Sequence, residues 1–309
     1  MIRVENLTKY YGKRLAVDNI SFNVEKGEIV GLLGPNAAGK TTTMRMITGF
    51  LAPSQGNIWV SDYDIRNHSL EARQLIGYLP EAVPLYTDMT VTSYLDFLAR
   101  IRKVDKNTIK SRIEEVINIC HLEEYANSII GKLSKGYRQR VGVAQAIIHK
   151  PKVLILDEPT IGIDPLQVAM TRQLIRELGK ESTVILSTHI LPEVSMLCER
   201  VIIINEGKII AEDRIEHLSS LISGSKRIRL EVEGPSKEVT DRLSRIKGIL
   251  KVSYENHHYI IECPPQQDPR AKIMETMVQN GWTLLSLESI DMSLEDIFLK
   301  LTTEEEPGE

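Results

Sequence analysis

Eight residues, Gly34-Pro35-Asn36-Ala37-Ala38-Gly39-Lys40-Thr41, follow the pattern G-x-x-x-x-G-K-[ST]. Such a loop folds tightly on its glycines, so that backbone N–H groups at a helix N-terminus converge on phosphate oxygens. Lys40 is then placed to reach the β- and γ-phosphates of a nucleotide. The Thr41 hydroxyl is placed to ligate Mg²⁺, with Thr42 next to it in the first helical turn. Farther along, Val153-Leu154-Ile155-Leu156-Asp157-Glu158 is an apolar run that ends in two carboxylates. Asp157 suits the shell of the metal, and Glu158 suits orienting or deprotonating an attacking water. A glycine turn beside an ordinary helix cap would explain the first pattern alone, and a solvated acidic turn the second. Together and in this order they point to phosphoryl chemistry.

Both elements need a strand before them. Segments 28–33 (EIVGLL), 153–157 (VLILD), 183–187 (TVILS) and 201–205 (VIIIN) are short and apolar throughout, which predicts strands buried on both faces of a largely parallel sheet. Helical patterns lie between them at 40–49, 91–102, 106–120, 136–149 and 166–179. The alternation predicts an α/β domain. A small, polar stretch at 218–225 reads as a linker. Beyond it, strands near 227–233, 250–254, 258–263 and 282–288 alternate with helices at 237–246 and 270–280. That β-α-β-β-α-β order predicts a small ferredoxin-like α+β domain over 226–303. A closing helix at 294–301, capped by Ser293 with Asp296, and an acidic tail at 304–309 complete the reading.

Composition excludes several classes. The 309 residues are long enough for roughly two domains, and at 42% hydrophobic and 26% charged they hold enough apolar material for a real core. A formal charge of −4 argues against a protein that coats nucleic acid. Cys120, Cys198 and Cys263 form no CxxC pair, so a disulfide scaffold and a zinc ribbon are excluded and a reducing compartment fits. No run approaches the ~18 apolar residues of a membrane span. A cytosolic chain is expected, with any span supplied by another polypeptide.

Four further segments carry a resemblance. They are Leu133-Ser134-Lys135-Gly136-Tyr137-Arg138-Gln139-Arg140, Ile161-Gly162-Ile163-Asp164-Pro165, Ser187-Thr188-His189, and Tyr11 within Lys9-Tyr10-Tyr11-Gly12. With the two elements above they resemble, in order, the Walker A, signature, Walker B, D-loop and H-loop motifs and the adenine-stacking aromatic of ABC ATPases. The resemblance implies a P-loop NTPase fold over 1–217, with a helical subdomain at about 88–150. It implies ATP and Mg²⁺ as cofactors and a head-to-tail dimer with itself or a homologous subunit. In that dimer Ser134 and Gly136 would close on the nucleotide held by the partner's Walker A loop, and their helix start offers a second anion-attracting end. His189 would contact the γ-phosphate, Asp164 would bridge the halves, and Tyr11 would stack on adenine.

Three departures from the family pattern stand out. Ala37 replaces a usual glycine, at a cost of about 1 kcal/mol if its φ is positive. Lys135 and Tyr137 replace Gly and Gln in the signature. Glu81, in Gly77-Tyr78-Leu79-Pro80-Glu81, stands where the Q-loop usually has Gln, and would approach the metal through water. The signature form, the 76–81 segment and the appended domain resemble one branch, the ATPases of ABC-2 type exporters. That implies a separate integral-membrane permease as partner, no nucleic acid, and a place on the inner face of the membrane. In the family, the region after the Q-loop, 91–124, meets the permease. A soluble ABC ATPase acting on ribosome or DNA is the alternative, and a nucleotide-binding regulator without turnover a further one. The C-terminal domain carries no catalytic constellation and reads as dimer-stabilising or regulatory. His257 and His258 read as residues of an exposed strand rather than metal ligands.

Overall fold

The computed structural model describes residues 1–215, 226–255, 258–264 and 267–290. The expected linker, closing helix, acidic tail and His257 lie outside them. Contacts divide the chain into two units, Met1–Asp213 and Arg214–Glu309.

The first unit opens with two long strands, β1 (Ile2–Tyr11) and β2 (Arg14–Val24). Ile2, Val4 and Leu7 on one and Val17, Ile20, Phe22 and Val24 on the other are buried, so each strand presents one apolar face. Next come β3 (Ile29–Leu33), α1 (Lys40–Ile47), β4 (Gln55–Val60), β5 (Tyr63–Asp64), α2 (Ser69–Gln74) and β6 (Ile76–Leu79). Three helices follow, α3 (Val91–Ile101), α4 (Ile109–Ile119) and α5 (Lys135–Ile147). The unit ends with β7 (Val153–Asp157), α6 (Pro165–Gly179), β8 (Thr183–Thr188), α7 (Leu191–Leu197), β9 (Arg200–Asn205) and β10 (Lys208–Arg214).

Two sheets result. A six-stranded sheet has the order β10-β9-β3-β8-β7-β6, with parallel pairing along β9-β3-β8-β7-β6. Apart from the edge strand β10, its strands are mainly apolar and buried because both sides are covered. A second, four-stranded sheet, β2-β1-β4-β5, pairs antiparallel and was not expected. The core between them packs Val30, Leu32, Met44, Met46, Ile58, Ile185 and Ile202. Parallel strands place β3, β7 and β8 with their C-terminal ends on one edge, where ligands bind in open α/β sheets.

The helical region is fixed by local chemistry. Thr90 caps α3 by accepting from the Ser93 N–H at 3.2 Å. Buried Arg112 of α4 donates to the Ile147 and Ile148 carbonyls, at 2.5 and 3.0 Å, where α5 ends. A cation there satisfies orphan carbonyls and complements the helix dipole. On the surface of α3, Arg100 pairs with Asp96 one turn earlier at 2.7 Å.

The second unit runs β11 (Lys226–Glu233), α8 (Ser236–Ser244), β12 (Lys251–Glu255), β13 (His258–Cys263), α9 (Arg270–Gln279) and β14 (Thr283–Ile290). Its sheet order, β12-β13-β11-β14 with antiparallel pairing, is that of a ferredoxin-like fold. Ile228, Leu230, Val239, Leu243, Tyr259, Ile261, Ile273 and Met277 form its core. His258 departs from the exposed position expected of it. It is half-buried, and its Nδ1 is sealed from solvent without a protein partner.

Leu32→Ala, at a site 1% exposed, is expected to cost about 2–5 kcal/mol in urea unfolding. Leu166→Ala, at a site 69% exposed, is expected to stay within about 0.5 kcal/mol of wild type. Equal effects would contradict the assigned core.

Candidate active site

The Walker A segment leaves β3 as a loop and enters α1 at Lys40. Gly39 sits at φ 108°, and a Cβ there would press on the Ala16 carbonyl oxygen. Only glycine meets both conditions without strain. Ala37 has φ 67° and Glu158 has φ 50°, so two non-glycine residues hold left-handed backbone at this site. The cost expected for Ala37 is therefore incurred, on the order of 1 kcal/mol.

Lys40 is 6% exposed. Its Nζ donates to the carbonyls of Gly34 at 2.7 Å and Pro35 at 3.0 Å, and lies 3.8 Å from Glu158 Oε1. Burial pushes the ammonium below its ordinary pKa, and the carboxylates of Glu158 and Asp157 work against that shift.

Asp157 ends β7 fully buried. Its Oδ1 accepts from the Ser187 hydroxyl at 2.5 Å and the Thr41 hydroxyl at 3.2 Å. Its Oδ2 is buried with no hydrogen-bond partner. A lone buried carboxylate oxygen beside a threonine hydroxyl is a hard-oxygen donor set of the kind that holds a divalent cation. Ser187 is a residue whose part the sequence reading missed. It lies within the quoted Ser-Thr-His motif, but only the parallel register that pairs Asp157 with Ser187 places it against the carboxylate.

Glu158 is 5% exposed. His189 Nδ1 stands 2.9 and 3.0 Å from its two oxygens. A carboxylate can only accept, so Nδ1 carries the proton in this contact and Nε2 is the nitrogen left for a ligand. Two strand ends, β7 and β8, thus deliver an acid–imidazole pair next to a buried lysine.

Lys40 and Glu158 line a cavity of about 510 Å³ together with Tyr11, Asn36, Ala37, Ala38, Gly39, Thr41, Thr42 and Glu81. Gly34, Pro35, Asp157 and His189 are not among its lining residues, and the last two connect to it through Thr41 and Glu158. Arg14, Ala16 and Ile161 complete the lining; sequence reasoning singled out neither Arg14 nor Ala16, and named Ile161 only as the first residue of the D-loop segment. Arg14 starts β2 and Tyr11 ends β1, so both sit at the turn of the unexpected antiparallel sheet. Glu81, at the Q-loop position, lines the cavity but is exposed.

Ser134, Gly136 and Asp164 do not line this cavity. Ser134 caps α5, its Oγ accepting from the Tyr137 N–H at 3.4 Å. The Tyr137 amide at that helix start is therefore occupied. Gly136 lies inside the first turn rather than before the helix, buried where a side chain would collide with Gln167. Asp164 caps α6 by accepting from the Gln167 N–H at 3.1 Å. Gln167 also receives Arg140 Nη2 at 2.8 Å, so one chain packs its signature helix against its D-loop helix.

The chain is similar to known proteins. The family described as ABC transporter matches residues 17–161. The bacitracin transport ATP-binding protein BcrA of Bacillus licheniformis is 34% identical over 97% of this chain and 97% of its own length. The chain belongs to the ABC transporter ATP-binding family. The linearmycin resistance ATP-binding protein LnrL of Bacillus subtilis (strain 168) is 34% identical over 98% of each chain. A solved dimeric bacterial ABC transporter cassette matches with a TM-score of 0.64 and 25% identity, over 70% of this chain and 99% of that one. This ABC protein is accordingly an ATP-binding subunit and an ATPase. Among the described residues no helix is long and apolar enough to cross a membrane.

If Lys40 holds the phosphates, Lys40→Ala should weaken ATP binding by about tenfold or more in calorimetry, since charge-assisted bonds are lost. Unchanged affinity would remove Lys40 from the binding site.

Proposed function

We propose that two copies of this subunit, or one copy and a homologous subunit, bind two Mg-ATP between them and drive an ABC-2 type export permease. The observation that carries the reading is that Lys40, Thr41 and Glu158 line one cavity, with Asp157 bonded to Thr41 and His189 to Glu158, while Ser134, Gly136 and Asp164 neither line it nor bond to those residues. A chain with two phosphate-seeking helix starts, only one of which lines its own cavity, suits a pair in which each signature caps the other's nucleotide. The matched dimeric cassette supports the pairing.

The residues then take these roles. Tyr11 stacks on adenine. The Gly34–Gly39 loop surrounds the phosphates through its backbone, and Lys40 leaves the Gly34 and Pro35 carbonyls for the β- and γ-phosphates. Thr41 and the orphan oxygen of Asp157 would hold Mg²⁺, and Glu81, which lines the same cavity, would be a further contact to it. The hard oxygens and the buried orphan fit that ion. When bound, Mg²⁺ neutralises charge on the phosphate oxygens. Glu158 accepts a proton from the attacking water as it is oriented in line, and His189 holds Glu158 with Nδ1 and offers Nε2 to the γ-phosphate. Asp164 meets the partner subunit.

Export is supported by the linearmycin resistance relative, and a permease partner by the transport relative. Tyr86, before α3, packs on Tyr94 and Phe97 with ring centroids 5.9 and 5.6 Å apart, yet stays 53% exposed, and Ile101 is 57% exposed. An exposed aromatic cluster next to the Q-loop suits a docking helix of the permease. The working location is then the cytoplasmic face of the membrane. A role on ribosome or DNA gains no support, given the net charge of −4.

Glu158→Gln should accumulate an ATP-bound dimer by light scattering while phosphate release falls about a hundredfold or more. A variant that releases phosphate at the wild-type rate contradicts the role of Glu158. Tyr86→Ser should lose co-purification with the neighbouring permease while the isolated subunit keeps its basal ATPase rate. Retained co-purification would move the docking surface elsewhere.

A further inference from the structure

Glu193 belongs to no motif, yet it is 1% exposed inside the first unit. It sits in α7, the short helix after His189. A buried carboxylate is costly unless its oxygens are satisfied. Here each oxygen takes one hydroxyl: Oε1 accepts from Thr160 Oγ1, and Oε2 from Thr188 Oγ1 at 3.1 Å. Arg172 Nη2 of α6 stands 3.7 Å from Oε1.

The partners are telling. Thr160 lies two residues after Glu158, in the turn that leaves β7, and Thr188 immediately precedes His189 at the end of β8. Thr188 Oγ1 also accepts from the Ile190 N–H at 3.0 Å, fixing the turn just past the histidine. Glu158 holds left-handed backbone that the surroundings must enforce. Arg172 sits on the helix that Asp164 caps. One side chain therefore ties the turn carrying the carboxylate, the strand end carrying the imidazole and the helix behind the D-loop.

We propose that Glu193 is a positioning residue for ATP hydrolysis, setting the Glu158–His189 pair by holding Thr160 and Thr188 from behind. The proposal rests on the reading of Glu158 and His189 as the hydrolytic pair. Errors of about an ångström in such a pair cost on the order of a hundredfold in rate without weakening substrate binding. Glu193 touches neither nucleotide nor water in this account.

The test uses the full chain and steady-state ATP hydrolysis. Thr160→Val and Thr188→Val keep the side-chain shape and remove the hydroxyl, whereas Thr160→Ser and Thr188→Ser keep the hydroxyl. Glu193→Gln keeps the shape and leaves one threonine without a carboxylate oxygen. The valine variants and Glu193→Gln should lose about ten- to a hundredfold in kcat, with KM for ATP within about twofold. The serine variants should recover most of the rate. Added to Glu158→Gln, the same changes should leave ATP-dependent dimerisation intact and lower residual turnover no further. Wild-type kcat in the valine and glutamine variants overturns the proposal, as does a loss that serine does not restore or one matched by an equal loss of ATP affinity. Should a valine variant fail to fold, Glu193→Gln against the serine variants decides by the same criteria. A wild-type protein that hydrolyses ATP while Glu158→Gln stays fully active overturns the underlying reading instead.

Discussion

A buried lysine facing buried carboxylates is the constraint around which the first unit is organised. Lys40, Asp157 and Glu158 are each nearly sealed from solvent. Such charges are tolerated only when every one finds a partner. Lys40 finds the carbonyls of its own loop and Glu158, Glu158 finds His189, and Asp157 finds Ser187 and Thr41. One demand stays open, the second oxygen of Asp157. A site in this condition is prepared for a cation beside a polyanion, because each would complete what the protein leaves incomplete. The parallel sheet makes it possible, since adjacent strands ending on one edge bring residues 157 and 187 into register.

Much of that arrangement could be read beforehand. Apolar runs long enough for strands and too short for surface helices located β3, β7, β8 and β9 to within a residue or so. The second unit was also legible, because Ile228, Leu230 and Val232 alternate cleanly with charged neighbours. What escaped was the sheet of β1, β2, β4 and β5. Its register shifts between Val4 and Leu7 and again before Tyr10, so the alternation is broken just where a period of two would be sought. Arg14 and Ala16 were missed with it, as residues of the cavity wall.

The signature segment illustrates a different limit. Motif spacing places Ser134 and Gly136 at a helix start, and they lie there. Packing decides the finer points, since Gly136 is required by contact with Gln167 and the Ser134 hydroxyl already caps its helix. Lys135, at a position where the family has glycine, lays its ammonium against Gly162 of the D-loop. Glu193 shows the limit most clearly. A lone glutamate in a seven-residue helix has no spacing to betray it, and only the fold reveals which turns it joins.

The claim on which the account stands is that one triphosphate is gripped by two subunits. The structure of the protein loaded with Mg²⁺ and a non-hydrolysable ATP analogue measures this directly. The account predicts Lys40 Nζ of one copy and Ser134 of the other within hydrogen-bond reach of the same γ-phosphate. A nucleotide held by Lys40 in a single subunit, with Ser134 remote from any triphosphate, would contradict it.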